Sequence, residues 1–115
     1  MMTRRSLLSL AVAVPFIAFA PAPRGADAPA EIALTIEKNR FQPDEIKVKA
    51  GTPFVLVITN KDVGPEEFES KDLRIEKVIP AGKTIRLRMP ALKGGTYGFV
   101  GEYHEKTAKG RIVAE

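Results

Sequence analysis

Apolar residues alternate with polar ones in short segments along most of this chain, and this period of two constrains the fold more than any other feature. Residues 31–38 and 83–89 are the clearest cases. Their inward positions are Ile32, Leu34 and Ile36 in the first segment and Ile85, Leu87 and Met89 in the second. Such alternation is typical of strands with one buried face. After residue 30, no apolar period of 3.6 persists for three helical turns, so the pattern predicts an all-β fold.

Further segments complete the predicted set of strands. They are residues 45–49, 53–60, 66–70, 95–101 and 111–114, together with residues 73–79, where the pattern fits either an edge strand or a loop. Residues 41–44 are predicted to be a turn, because Pro43 has no amide hydrogen to donate to a neighbouring strand. Seven or eight short strands at this spacing predict a Greek-key antiparallel β-sandwich.

Residues 1–30 have the features of a signal peptide. Arg4 and Arg5 precede the apolar run 7–20, and a tail of small residues and prolines follows it. The paired arginines also fit a signal of the twin-arginine type. Since a membrane span needs about 20 apolar residues, we predict no stable membrane insertion of the mature chain; the alternative is a retained N-terminal anchor. We therefore expect a signal peptide over residues 1–30 and one domain over residues 31–115.

Composition excludes several classes of function. Residues 31–115 have a net charge of about +2, which is too small for a nucleic-acid-binding surface. The chain contains no cysteine, so it has neither a disulfide nor a thiolate ligand. The sequence contains no nucleophile with a base at readable spacing, no glycine-rich phosphate loop and no His-x-x-x-His pair. Whether the protein is an enzyme therefore stays open.

An acidic run in residues 66–70 contains the first candidate ligands. Phe68 is the obvious inward residue, and alternation places Glu66 on its side of the strand and both Glu67 and Glu69 on the other side. A carboxylate on an apolar face requires a cation or hydrogen bonds to compensate its charge.

Two alternatives follow for Glu66. In the first, a metal ion compensates the carboxylate, and the only histidine, His104, is a ligand of the same ion. In the second, Glu66 pairs with a lysine, for which Lys109 and Lys77 are the candidates, and His104 is an ordinary loop histidine.

The order of motifs resembles the cupredoxin family across nearly the whole chain after residue 30. The motifs are Phe41-x-Pro-x-x-Ile-x-Val-x-x-Gly51, the apolar strand that leads to Asn60-x-Asp62, and Gly-x-Tyr-x-Phe followed by His104 and Gly110. The resemblance implies that loops at one pole bring four ligand positions together, which in blue-copper proteins are His, Cys, His and Met. In this chain those positions are Glu66, Gly101, His104 and Lys109.

These replacements exclude a blue-copper centre, because its character comes from a thiolate. Glu67 and Glu69 lie near Glu66, and Glu102 and Glu105 lie on either side of His104. Carboxylates with an imidazole form a harder ligand set, which is suited to Fe, Mn, Zn or Cu(II) and not to Cu(I).

The sequences of the two loops are similar to those of the small exported cupredoxin-like proteins that accompany bacterial ferrous-iron permeases. The matching segments are Asn60-Lys-Asp-x-x-Pro-Glu-Glu-Phe-Glu-Ser70, Leu73-x-x-Glu-Lys77, Gly101-Glu-Tyr-His104 and Thr107-Ala-x-Gly110. This resemblance implies a periplasmic location, a copper or iron ion, and two partners: a periplasmic iron-binding protein and a membrane iron permease. It implies Glu66, His104 and Glu102 as the first metal ligands, with Glu67 and Glu69 next.

Three functions are compatible with these observations. The first is a metal-binding protein of ferrous-iron uptake that assists the oxidation of Fe(II) before the ion reaches a permease. The second is a copper or iron chaperone or buffer without redox activity. The third is a metal-free module whose acidic loop docks on a partner protein.

Overall fold

The computed structural model of the protein describes residues 28–115. The strands are β1 (Ala30–Glu37), β2 (Arg40–Gln42), β3 (Glu45–Val48), β4 (Phe54–Asn60), β5 (Glu66–Ser70), β6 (Ile75–Ile79), β7 (Thr84–Met89), β8 (Gly95–Gly101) and β9 (Lys109–Ala114), with a 3-10 turn at Glu102–His104. No helix in this part of the chain is long and apolar enough to cross a membrane. The predicted signal peptide lies outside the described residues, apart from residues 28–30.

The strands form two sheets that pack face to face. One sheet has the order β2-β1-β4-β7 and the other has the order β3-β9-β8-β5-β6. Strand β1 pairs in parallel with β4, and β3 pairs in parallel with β9, whereas the remaining pairs are antiparallel. The predicted all-β sandwich is confirmed. The structure corrects two details: there are nine strands among the described residues where seven or eight were predicted, and both sheets are mixed where antiparallel pairing was predicted.

The ninth strand comes from a segment that was predicted to be a turn. Strand β2 pairs Phe41 with Ile36 of β1, and the Phe41 ring is buried. The turn itself lies earlier, at Lys38 and Asn39, which have φ values of 53° and 57°. Positive φ at both central residues is the geometry of a tight hairpin turn. Pro43 therefore follows a short edge strand, a position where its missing amide hydrogen is tolerated.

Both segments with uncertain or charged patterns are edge strands. The ambiguous segment 73–79 contains β6, which pairs only with β5. Strand β7 lies at one edge of the four-stranded sheet, as its charged outer face predicts. Arg86 and Arg88 lie on that outer face, and both are exposed.

Three phenylalanine rings fill the core between the sheets. The Phe99 ring lies 5.0 Å from Phe41, nearly perpendicular to it, and 5.0 Å from Phe68. Each such aromatic pair contributes about 0.5–1.5 kcal/mol beyond burial of its area. Gly110 makes room for this packing, because a Cβ there would lie 2.4 Å from the Phe99 ring. The three rings lie on β2, β5 and β8, so their packing joins the two sheets.

Hydrogen bonds hold the loops of that pole together. The buried Asn60 amide donates to the carbonyls of Gly64 and Ile79 and accepts from the Asp62 amide. Asp62 in turn accepts from the backbone amides of the turn between β1 and β2. The Thr107 hydroxyl donates to a carbonyl of the same turn. The segment before β5 and the segment before β9 therefore meet at one end of the sandwich.

Candidate metal site

Glu66 is an almost fully buried carboxylate at the start of β5. It is 1% exposed and faces the core on the same side as Phe68, as alternation predicts. Both oxygens of its carboxylate accept hydrogen bonds. Oε1 accepts hydrogen bonds from the backbone amides of Glu67 and Tyr103, each at 3.0 Å, and Oε2 accepts from His104 Nδ1 at 2.6 Å. These three donors compensate the buried charge.

His104 is the partner of Glu66. Neither Lys109 nor Lys77 forms an ion pair with Glu66 among residues 28–115, so the predicted lysine pairing is wrong. His104 is the last residue of the 3-10 turn. The backbone carbonyl of His104 accepts hydrogen bonds from the amides of Thr107 and Ala108, which hold the residue in place. Since a carboxylate can only accept, Nδ1 carries the hydrogen and faces inward. The His104 side chain is 38% exposed.

The Glu66–His104 contact has the geometry of a hydrogen bond and not that of two ligands on one ion. Two donors that bind a tetrahedral ion at about 2.1 Å lie roughly 3.4 Å apart. The observed 2.6 Å is instead typical of a charge-assisted hydrogen bond. In this arrangement Glu66 Oε2 and His104 Nδ1 are occupied by each other, and His104 Nε2 takes no part in the contact.

Other atoms fill the side-chain space at Gly101, the position that the resemblance assigns to the cysteine. A Cβ added to Gly101 would lie 2.7 Å from Glu66 Cδ and 2.7 Å from Ala108 Cβ. The Gly101 backbone has φ −87°, which any residue can adopt, so space alone requires glycine here. Lys109, at the methionine position, is exposed. With no cysteine in the chain, the residues present do not fit a blue-copper centre.

The other predicted acidic ligands lie on the outer face of the same sheet. Glu67 and Glu102 lie close together there, and Glu69 also lies on this side of β5. Sequence reasoning missed the nearby Glu76 of β6. Ligand oxygens of Glu67, Glu76 and Glu102 all lie within 4.8 Å of one another. The signal that could have found Glu76 is the pairing of β6 with β5, in which Glu76 lies opposite Glu69.

Like charges dominate this outer cluster. The pKa of the Glu102 carboxyl is raised, first by its side-chain hydrogen bond with Glu67 and then by the negative charge of Glu67. The pKa of the neighbouring Tyr103 hydroxyl is raised as well, by desolvation first and by the charge of Glu67 next. The five predicted ligands therefore fall into two groups: Glu66 with His104 on the inner side, and Glu67, Glu69 and Glu102 on the outer side.

Solved structures with the same fold include proteins that bind copper. Auracyanin A, a blue copper protein of Chloroflexus aurantiacus, matches with a TM-score of 0.66 and 15% identity, over 76% of this chain and 100% of that one. The metal-binding domain of the Cu(I)-exporting P-type ATPase of Streptococcus pneumoniae has a TM-score of 0.66 and 18% identity, over 74% and 84%. Amicyanin of Paracoccus versutus gives 0.60 and 19%, over 78% and 87%. At these identities the similarity shows the fold alone.

Sequence comparison gives a nearer relative and the family. An uncharacterized protein of Rickettsia prowazekii (strain Madrid E) is 37% identical over 83 residues, which cover 72% of this chain and 66% of that protein. The family model of the cupredoxin-like domain matches residues 8–114. The chain therefore belongs to the cupredoxin-like domain family.

Proposed function

We propose that the protein is an exported, periplasmic metal-binding member of the cupredoxin-like family that acts in ferrous-iron uptake. The observation that carries this proposal is the exchange of ligand chemistry at one pole of the fold. Gly101 replaces the thiolate, Lys109 replaces the thioether, and carboxylates gather on both sides of β5. Oxygen donors bind hard cations and are poor ligands for Cu(I).

Hard donors also give a physical motive for iron oxidation. Carboxylate ligands stabilise Fe(III) more than Fe(II), so they favour loss of one electron from bound Fe(II). The electron passes to dioxygen or to Cu(II) bound on the same protein. The Fe(III) product is then delivered, by way of a periplasmic iron-binding protein, to a membrane iron permease. The resemblance of the two loops to proteins that accompany such permeases supports this placement.

A direct test measures both affinity and turnover. The purified domain is titrated with Fe(II) under nitrogen by calorimetry, and Fe(II) consumption is then followed in air with and without one equivalent of Cu(II). We expect saturable binding and consumption faster than in buffer that contains the same copper. Consumption at the buffer rate, despite binding, contradicts the oxidation step.

The exposure of the outer cluster favours a second candidate function, that of a chaperone or buffer. Glu76 and Glu102 are exposed and Glu67 is half-buried, so an ion held there exchanges readily with a partner. A chaperone requires affinity without turnover. Binding of Fe(II) or Cu(II) with no excess Fe(II) consumption supports this function over the first.

A further inference from the structure

The Glu66 carboxylate fills the space between three of the positions that the cupredoxin resemblance assigns to ligands. Its Cδ would lie 2.7 Å from a Cβ at Gly101, and its Oε2 lies 2.6 Å from Nδ1 of His104. An ion between these positions would have to displace a carboxylate that three hydrogen-bond donors hold. Because a buried charge that loses its donors is costly, the inner side of the imidazole is a poor place for an ion.

The other ring nitrogen of His104, Nε2, is accessible from solvent. Within residues 28–115, the His104 ring forms a hydrogen bond to Glu66 through Nδ1 and no other, so Nε2 has no partner in this range. In the same part of the chain, no buried side-chain nitrogen or oxygen lacks a partner. Nε2 therefore lies at the surface, which agrees with the 38% exposure of the side chain.

Glu66 fixes the tautomer of the His104 ring. An ionised carboxylate can only accept, so the 2.6 Å contact requires a hydrogen on Nδ1. In the neutral ring, which is the form that binds metals, Nε2 then has a free lone pair. Histidines that bind metal ions have the same arrangement: one ring N–H donates to a carboxylate, which orients the ring and raises the basicity of the other nitrogen. The pair therefore presents an oriented ligand atom to solvent.

We infer that Nε2 of His104 binds a borderline divalent ion, of which Cu(II) is the type, and that Glu66 is a positioning residue behind the imidazole and not a ligand. Imidazole nitrogen suits copper, zinc and iron. Among residues 28–115, His104 belongs to no group of three side chains whose ligand atoms lie within 4.8 Å of one another. Most positions around the ion are therefore open to water, and a partner's ligand can replace that water during transfer. This inference rests on the proposed function and names the atom that binds its metal.

Nitrogen NMR tests this directly, because His104 is the only histidine in the sequence. The protein is produced without a histidine tag and with histidine labelled with heavy nitrogen, so that couplings to the ring hydrogens identify the protonated nitrogen. At a pH where the ring is neutral, we expect the hydrogen on Nδ1 in the metal-free wild type. Titration with Zn(II), a diamagnetic probe, should shift the Nε2 resonance far more than that of Nδ1. Bound Cu(II) should show hyperfine coupling to one imidazole.

Glu66→Gln separates a positioning role from a purely structural one. The amides of Glu67 and Tyr103 both donate to Oε1, so they hold the glutamine oxygen there and direct its NH₂ group at Nδ1. That group can only donate, which favours the tautomer with its hydrogen on Nε2. We expect a folded protein, shown by its backbone amide spectrum, with the tautomer changed and Zn(II) binding about 10- to 100-fold weaker.

The matched control is Glu105→Gln, which removes the same charge from the residue next to His104 in the sequence. Since Glu105 is exposed, we expect an unchanged tautomer and an affinity within about twofold of the wild type. Zn(II) that leaves the Nε2 resonance in place, or equal affinities in Glu66→Gln and Glu105→Gln, overturns the inference and leaves the proposed function standing. A wild-type protein that binds none of Cu(II), Zn(II) and Fe(II) overturns both.

Discussion

Two neighbouring carboxylates on one strand, Glu66 and Glu67, have opposite environments. Glu66 points into the sandwich, where three donors surround it, and it is almost fully buried. Glu67 points outward, where its carboxylate lies beside those of Glu76 and Glu102. The strand places successive side chains on opposite faces. Adjacent residues therefore belong to different groups: Glu66 to the hydrogen-bonded pair with His104, and Glu67 to the outer cluster of carboxylates.

The difference teaches that the donors around a carboxylate decide whether it stabilises or destabilises the fold. A buried carboxylate whose oxygens accept several hydrogen bonds contributes to the fold and has little capacity left for an ion. A carboxylate surrounded by like charges destabilises the fold slightly, and a nearby cation reduces this destabilisation. Glu66, at a position that the cupredoxin resemblance assigns to a ligand, is of the first kind, and Glu67, Glu76 and Glu102 are of the second kind.

The largest effect should come from Glu66→Ala, which we expect to lower the free energy of unfolding by about 3 kcal/mol. The change leaves the Glu67 and Tyr103 amides without their acceptor and opens a cavity beside His104. Urea denaturation measures it. The control, Glu67→Ala, should shift stability by no more than about 0.5 kcal/mol. Equal losses for the two variants would show that the inner pair has no special structural role.

Gly101→Ala tests whether Glu66 occupies the space that a side chain at position 101 would need. The new Cβ would contact Glu66 Cδ and Ala108 Cβ at 2.7 Å, and we expect a loss of about 1–3 kcal/mol from overpacking. Gly98→Ala is the control in the same strand, because its Cβ would meet only Asp72 Oδ2 at an ordinary 3.7 Å. The cost of Gly101→Ala should fall in a Glu66→Ala background, and thermal or urea unfolding of the double variant measures this coupling. Purely additive costs would contradict the assignment.

Glu76→Gln should stabilise the metal-free protein. Glu76 lies directly opposite Glu69 in the β5–β6 pair, and like charges in such a position cost about 0.2–1 kcal/mol. Urea unfolding in the presence of a chelator measures the gain. The gain should shrink in 1 M salt, where the screening length is about 3 Å. A loss of stability would mean that the outer carboxylates are structural as well.

The smallest effect is a pH dependence of stability at the outer cluster. The folded state raises the pKa of Glu102 above its ordinary value of 4.5, so the folded protein binds that proton more tightly than the unfolded chain does. The contribution is fully present below the unfolded pKa and is lost as pH rises through the folded pKa. Unfolding of chelator-treated protein at a series of pH values should therefore show this decline in the wild type, and Glu102→Gln should lack it. An identical pH profile in both proteins would show that Glu102 is not the group responsible.

Most of the fold could be predicted from the sequence, because burial of one strand face leaves a period of two in the residues. Ile32, Leu34 and Ile36 identify β1 in this way. The direction of pairing leaves no such trace, so the parallel pairs β1–β4 and β3–β9 were not predicted. Strand β2 was missed because it has three residues, too few to show a period, and Pro43 follows it directly.

The candidate site could be predicted only in part. The resemblance to cupredoxins implies that Glu66 and His104 lie at one pole, and alternation indicates that Glu67 faces away from Glu66. The structure has this arrangement. The partner of Glu66 depends on the conformation of the 3-10 turn, which the sequence does not specify. Glu76 was missed because its position follows from the register of β6, the segment whose pattern is least regular.

The position of β9 affects how the protein is made. This strand is formed by residues near the C-terminal end of the sequence, yet it lies between β3 and β8 in the five-stranded sheet. The pairing joins residues 45–48 to residues 111–114, and such long-range contacts slow folding. A nascent chain stalled before residue 109 therefore lacks the strand that bridges β3 to the rest of its sheet, so the sandwich assembles only after residues 109–114 have been synthesised.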